Sequence, residues 1–202
     1  MLTFKQYLLE DSNVISETEM RGLCAKFIKE SGGLPLYRGS NRRFNDITLI
    51  TTRKDRRPSL TRTPVHQVVD DWFNEHYGFR PRSAGLFSIG SMREAGSYGA
   101  PHFVLPVGDF KYVWGKYKNI LGWGDLAGQP ILDTYEVTSR IRGEGAAVDK
   151  VMSSVEWSTT NLKEAISTIA EITLLCDQAV MVPINTASFI EPEDTYKQLV
   201  GN

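Results

Sequence analysis

The sequence has 202 residues, of which 41% are apolar and 23% charged, and its formal net charge is −1. This length and composition predict one globular domain and exclude a disordered, collagen-like or low-complexity chain. Two cysteines are too few for a disulfide scaffold or a cysteine-rich zinc site, and the near-zero charge gives no global field that attracts nucleic acid or membrane.

The same patterns predict a soluble protein made where it works. No stretch approaches the roughly 20 apolar residues of a membrane-spanning helix. The apolar run within the first ten residues is broken by Lys5 and Gln6, and no small-residue cleavage site follows. We therefore expect no secretory signal. Cys24 and Cys176 lie in apolar helical patterns and are predicted to be reduced core residues, as in a reducing cytosol.

Residues 1–33 are predicted to form an N-terminal helical part. Residues 3–10 suit a short helix, and Ser16 with Glu19 fits a capping box that opens a helix over 15–31. The apolar stripe of this helix consists of Met20, Leu23, Cys24, Phe27 and Ile28.

The region that follows concentrates positive charge. Residues 34–39 are predicted to form a strand, and 41–62 a basic loop with a strand at 47–51. Segment 38–62 holds eight basic and two acidic residues, a net charge of +6, so the rest of the chain carries −7. An anionic partner is therefore expected to bind here.

The middle of the chain alternates helices and strands. Thr63 and Pro64 are predicted to open a helix that runs to Tyr77. A strand over 85–89 and a short helix over 91–98 follow. Two strand-like runs, 103–107 and 110–114, flank Gly108-Asp109, a pattern typical of a β-hairpin.

The last third is predicted to contain one long helix and one buried strand. Asn161 and Glu164 suit the start of a helix over 161–176, and a strand at 179–182 follows. Phe189-Ile190 suits a further strand, and residues 191–202 a polar tail. The whole predicts a single α+β domain.

Common catalytic motifs are missing from the sequence. It contains no GxxxxGK[ST], GxSxG or HExxH pattern. His66, His76 and His102 are scattered and are interpreted as surface histidines, so we expect no metal site.

One ordered set of motifs points to a family. Tyr37-Arg38-Gly39 ends a predicted strand, Phe87-Ser88-Ile89-Gly90-Ser91 follows the basic segment, and Ala95-x-x-Tyr98-Gly99 comes next. Over residues 34–190 this order resembles the mono-ADP-ribosyltransferase superfamily. The chain is also similar to small accessory proteins of bacteriophages, which implies a site of action in the host cytoplasm or in the virion.

The resemblance implies a fold and a ligand. The fold would be a split, twisted, mainly antiparallel sheet with flanking helices, and the ligand would be NAD, used as substrate. Residue by residue, the implied NAD-binding set is Arg38, Tyr37, Gly39, Phe87, Ser88, Ser91 and Tyr98. Two alternatives stay open: Ser91 also suits a helix N-cap, and Tyr98 a core position.

The acidic residue that the superfamily places directly before a late strand is not evident. Ala179 stands at that point, so Gln178 and Asp177 are the candidate catalytic residues, while Glu171 falls inside the predicted helix. The resemblance therefore implies either an enzyme that transfers ADP-ribose to a host macromolecule or hydrolyses NAD, or an inactive virion or host-interaction protein on the same fold.

The basic segment supports a third, weaker hypothesis. Lysine and arginine clusters neutralise nucleic-acid phosphates, and the residues that would do so are Arg53, Arg56, Arg57 and Arg62. Phe44 is the sole aromatic residue of 41–62, which disfavours a base-stacking platform. A host or phage protein is the favoured partner, nucleic acid is the alternative, and no membrane contact is expected.

Overall fold

A computed structural model of the chain describes residues 12–56, 63–116, 152–153, 155–168, 170–184 and 191–201. The predicted helix 3–10, the predicted strand 189–190, and Arg57 and Arg62 lie outside the described residues. No helix in the described ranges is long and apolar enough to cross a membrane.

Helices and strands are interspersed along the described chain. The helices are α1 (Glu17–Leu23), α2 (Ala25–Ser31), α3 (Thr63–Tyr77), α4 (Pro81–Ala84), α5 (Met92–Gly96), α6 (Leu162–Ser167) and α7 (Pro192–Val200). The strands are β1 (Ser12–Val14), β2 (Tyr37–Ser40), β3 (Thr48–Thr51), β4 (Leu86–Ile89), β5 (Ala100–Pro106), β6 (Lys111–Gly115), β7 (Trp157–Ser158), β8 (Glu171–Leu175) and β9 (Gln178–Pro183).

The nine strands form one sheet in the order β1-β3-β9-β5-β2-β4-β8-β6-β7, and every neighbouring pair is antiparallel. The predicted α+β class with an antiparallel sheet and flanking helices is confirmed. The pairing is thinnest between β2 and β4, which share the single pair Tyr37–Ile89, whereas β2 and β5 share four pairs. The two halves of the sheet therefore separate beside that pair.

The N-terminal helices agree with most of the predictions made from the sequence. Ser16 and Glu19 form the predicted capping box, and Gly32, at a φ of +62°, ends α2 in the left-handed conformation that glycine adopts readily. The predicted single helix is divided at Cys24 into α1 and α2. Both cysteines are free and buried, as predicted.

The predicted hairpin at Gly108-Asp109 is wrong. Strand β5 lies between β9 and β2, whereas β6 pairs with β8 and β7. The turn itself is real, but its contacts are with the N-terminal helices: Gly108 N donates to Leu23 O, and Asp109 forms an ion pair with Lys26 at 2.8 Å. Turn chemistry is local, while strand pairing depends on the whole sheet.

The predicted helix over 161–176 is also wrong in its second half. Helix α6 ends at Ser167, and Glu171–Leu175 form β8, buried between β4 and β6. A short, fully buried strand lacks polar alternation, so its apolar residues are easily taken for a continued helix face. The predicted start of this helix is confirmed, since Asn161 is the N-cap of α6, but Asn161 adopts a φ of +61° and its side chain makes no capping hydrogen bond.

The predictions for two of the three histidines and for the C-terminal tail are wrong as well. His66 and His102 are buried, and His76, which is exposed, stacks on Trp72. The tail forms α7, whose Tyr196 is completely buried against Phe103. Its polar residues face solvent while one apolar stripe packs on the core, and the short length of that stripe hides it in the sequence.

Candidate functional site

A cavity of about 330 Å³ lies where β2 and β4 meet. This volume is at the lower end of the range for small-molecule sites. Its lining consists of Tyr37, Arg38, Gly39, Ser40, Asn41, Arg56, Phe87, Ser88, Ile89, Ala95, Tyr98 and Glu171. The cavity therefore takes residues from three adjacent strands, from α5 and from the basic segment.

Arg38 is the cationic group that β2 brings to the cavity. Its Nη1 donates to the Phe87 carbonyl oxygen at 2.5 Å, which fixes the guanidinium across the gap between β2 and β4. Burial and the nearby Arg56 charge together lower the pKa of Arg38 to about 10, and the Glu171 carboxyl group opposes this shift. Arg38 is thus a half-buried cation at neutral pH that lines the cavity.

Arg56 brings a second guanidinium from the basic segment. Its Nη1 donates to the Gly85 carbonyl oxygen at 2.6 Å, and its guanidinium carbon lies 4.5 Å from the centre of the Phe87 ring. Burial lowers the pKa of Arg56, and Glu171 raises it. This arginine, predicted as a nucleic-acid contact, is half-buried in the cavity, whereas Arg53 is exposed.

Glu171 supplies a carboxyl group to the same cavity. It opens β8 and pairs with Ile89, which in turn pairs with Tyr37, so register alone places it beside β2. Glu171 is 7% exposed. Burial raises its pKa to about 8, against the lowering effect of the charges on Arg82, Arg38 and Arg56.

Gly39 and Tyr98 shape the mouth of the cavity. A Cβ atom at Gly39 would lie 2.1 Å from the Ala95 carbonyl oxygen, so only glycine lets α5 lie directly against β2. That close approach puts Tyr98 over the cavity, where 56% of the residue is exposed. Tyr98 is therefore a rim aromatic, and the alternative core position is excluded.

The inner wall is formed by residues whose hydroxyl groups are hydrogen-bonded to neighbouring elements. Ser88 Oγ donates to the Ile172 carbonyl oxygen at 2.7 Å, which ties β4 to β8 beneath the cavity. The Tyr37 hydroxyl donates to Glu193 Oε1 at 3.2 Å and so attaches α7 to β2. These two hydroxyl groups hold the wall in place, and both residues line the cavity.

The structure brings together six of the seven predicted NAD-binding residues. They are Tyr37, Arg38, Gly39, Phe87, Ser88 and Tyr98. Ser91 is the exception, because it is the N-cap of α5 and its Oγ accepts from Glu94 N at 3.4 Å. The helix-cap alternative for Ser91 is confirmed.

The predicted catalytic pair, Gln178 and Asp177, does not reach the cavity. Asp177 is exposed and forms an ion pair with Lys54 at 2.6 Å, and Gln178 pairs with Thr51 at the start of β9. Register explains the misplacement: through β5, the β9 residue level with Arg38 is Pro183. Gln178 lies five residues from that level, about 17 Å along the strand.

Glu171 and Arg82 were missed as site residues. The assignment of 161–176 to one helix concealed Glu171, although the β-branched pair Ile172-Thr173 directly after it favours a strand. Arg82 is buried in α4 and its charge acts on Glu171 without lining the cavity. No sequence signal marks Arg82, because α4 is a single turn.

The described residues contain no cluster of three or more histidine, cysteine, aspartate or glutamate side chains placed to hold a metal ion. No family model, curated protein or solved structure matches the chain. Two guanidinium groups and a buried carboxyl group share a cavity whose rim carries an exposed aromatic ring, an arrangement suited to a ligand with separate anionic and cationic parts.

Proposed function

We propose that the chain binds NAD in this cavity and breaks the bond between nicotinamide and ribose, passing ADP-ribose to a host macromolecule or to water. The observation that carries the proposal is the placement of the Arg38 guanidinium and the Glu171 carboxyl group in one cavity. The resemblance to mono-ADP-ribosyltransferases adds support, since Glu171-Ile172 stands at the start of a late strand, where that superfamily has its glutamate.

The chemistry requires a carboxylate near the ribose. As the C1′–N bond breaks, its electron pair leaves with nicotinamide, and positive charge develops on the ribose ring. A carboxylate at Glu171 stabilises that charge most in the transition state. The acceptor oxygen or nitrogen then bonds to C1′ and loses a proton to solvent. The cationic nicotinamide ring of bound NAD favours the ionised form of Glu171.

The other lining residues suit the remaining parts of NAD. The planar guanidinium of Arg38 matches phosphate or ribose oxygens. The exposed ring of Tyr98 offers a face to the cationic nicotinamide ring. A carboxylate at Glu171 also removes the main argument for an inactive protein, which was the alanine at position 179.

Calorimetric titration with NAD and an assay of nicotinamide release test the proposal. We expect wild-type protein to bind NAD and release nicotinamide, Arg38→Ala to weaken binding, and Glu171→Gln to retain binding while release falls. Neither heat nor release from the wild type would remove this function. Binding without release would favour the alternative, an inactive NAD-binding virion or host-interaction protein.

A further inference from the structure

We propose that Arg56 is a second ligand-binding arginine of the cavity and that, together with Arg38, it holds the phosphate groups of the nucleotide. This inference rests on the proposed function, for which it names the contact that selects a phosphorylated ligand. It assigns a role to the basic segment that does not involve nucleic acid.

The guanidinium groups of Arg38 and Arg56 are held in the same way, by hydrogen bonds to backbone carbonyl oxygens. Arg38 donates to the Phe87 carbonyl oxygen and Arg56 to the Gly85 carbonyl oxygen. These carbonyls are two residues apart on one extended stretch, a separation of about 7 Å. Both side chains line the cavity. The two guanidinium groups therefore contact carbonyl oxygens about 7 Å apart on one stretch of chain, a distance that a diphosphate can span.

Most N–H donors of the two guanidinium groups make no hydrogen bond among the described residues. A guanidinium carries five N–H donors. Among the described residues, Arg38 and Arg56 each make one hydrogen bond, to a backbone carbonyl. Four donors on each side chain are thus left for the cavity and its contents. Planar guanidinium groups with adjacent free donors bind phosphate oxygens in pairs.

The charge of the cavity favours an anionic ligand. Its lining holds two guanidinium groups and one carboxyl group, and the buried Arg82 adds a further positive charge behind them. Arg56 lowers the pKa of Arg38, which means that the two cations repel each other when the cavity is empty. An anion between them relieves that repulsion, whereas a neutral ligand does not.

A hydrogen-bond network positions the backbone of Arg56 before a ligand binds. Its backbone N donates to the Ser83 carbonyl oxygen at 2.9 Å. The Asp70 carboxylate, 1% exposed, accepts from the backbone N of Arg82 at 2.7 Å and of Ser83 at 2.9 Å. His66 Nε2 contacts Ser83 Oγ at 3.3 Å. This network orders Arg56 before a ligand arrives, which lowers the entropic cost of binding.

The test compares ligands with and without phosphate. Calorimetry would measure the affinity of wild type, Arg56→Gln and Arg56→Lys for ADP-ribose and for nicotinamide riboside, which lacks phosphate. Loss of a charged hydrogen-bond donor predicts a fall of about 10- to 100-fold for ADP-ribose with Arg56→Gln. We expect a smaller fall with Arg56→Lys, which retains charge without the planar fork, and less than twofold change for nicotinamide riboside.

Arg53→Gln is the matched control, since Arg53 belongs to the same segment but is exposed and pairs with Asp55 at 3.2 Å. Equal losses of ADP-ribose affinity in Arg53→Gln and Arg56→Gln would overturn the inference. So would equal losses of the two ligands in Arg56→Gln. If that variant fails to unfold cooperatively on heating, the Arg56→Lys series decides by the same comparison.

Inorganic pyrophosphate separates this inference from the proposed function. If wild type binds pyrophosphate through Arg56 but does not bind NAD, the phosphate contact stands and the proposed function fails. If wild type binds NAD and Arg56→Gln binds ADP-ribose as well as Arg53→Gln does, the proposed function stands and this inference fails.

Discussion

The cavity between β2 and β4 and a larger groove elsewhere on the surface differ in what they bury. The groove has a volume of about 740 Å³, against about 330 Å³ for the cavity. Its lining includes the aromatic residues Tyr77, Phe79, Phe110 and Tyr112 and charged residues that are exposed to solvent. The cavity, in contrast, holds a buried carboxyl group and two half-buried guanidinium groups.

In this protein, therefore, the volume of a concave site is a poor guide to its chemistry. Burying a charge costs free energy that the fold must recover from partners. The groove avoids that cost because its charges stay in water. The cavity accepts it, and perturbed ionisable groups in a concave site are typical of functional sites. Variants of the cavity, each paired with a control in the groove or at an exposed position, test this difference.

The largest expected effect is on nicotinamide release in Glu171→Gln. Removing one transition-state contact of this kind costs about 100- to 1000-fold in rate. Glu30→Gln is the matched control, because Glu30 lines the groove. Its rate should equal that of wild type in the same assay. Equal rates in the two variants would show that the buried carboxyl group has no catalytic role.

Gly39→Ala should damage the cavity through its backbone. The added Cβ lies 2.1 Å from the Ala95 carbonyl oxygen, so α5 must move away from β2. We expect a loss of about 3 kcal/mol in the free energy of unfolding, measured in urea, and weaker NAD binding as Tyr98 is displaced.

Gly22→Ala is the control for that variant. Gly22 lies within α1, and a Cβ atom there meets nothing within 4 Å. The variant should gain about 0.5–1 kcal/mol from its higher helix propensity and bind NAD normally. A stable, fully binding Gly39→Ala protein would contradict the close packing of α5 on β2.

Asp70→Asn tests the network behind Arg56. The amide group replaces one acceptor oxygen with a donor that faces backbone N–H groups, so we expect a loss of about 2 kcal/mol in the free energy of unfolding. Asp71→Asn is the control, because Asp71 is exposed and its ion pair with Arg80 should contribute less than about 1 kcal/mol. Equal unfolding midpoints for the two variants would contradict a structural role for Asp70.

A further expected effect is on the pH dependence of stability. The pKa of Glu171 is about 8 in the folded chain and near 4.5 when unfolded, so the folded state binds more protons between these values. Its contribution to stability is therefore full below pH 4.5 and is lost as pH rises towards 8. Glu171→Gln should flatten this decline in urea midpoints between pH 5 and 8, whereas Glu30→Gln should leave it unchanged.

Local signals in the sequence predicted most elements and much of the cavity. The capping box at Ser16, the helix that starts at Thr63 and the strand at 179–182 depend on neighbouring residues, and each is found in the structure. Six cavity residues were also predicted, because they belong to compact motifs on β2, β4 and the segment after α5. What sequence reasoning missed was the acidic partner, which another part of the chain contributes.

Period, spacing and composition were enough to predict the α+β class, the helix caps and the segment that carries the positive charge. Tertiary structure alone decided that β8 and not β9 lies next to β4, and so that Glu171 and not Gln178 joins Arg38. It also decided that Arg56 turns inward while Arg53 stays in solvent. The physical reason is that strand pairing and burial depend on contacts between residues far apart in the chain, which no local pattern encodes.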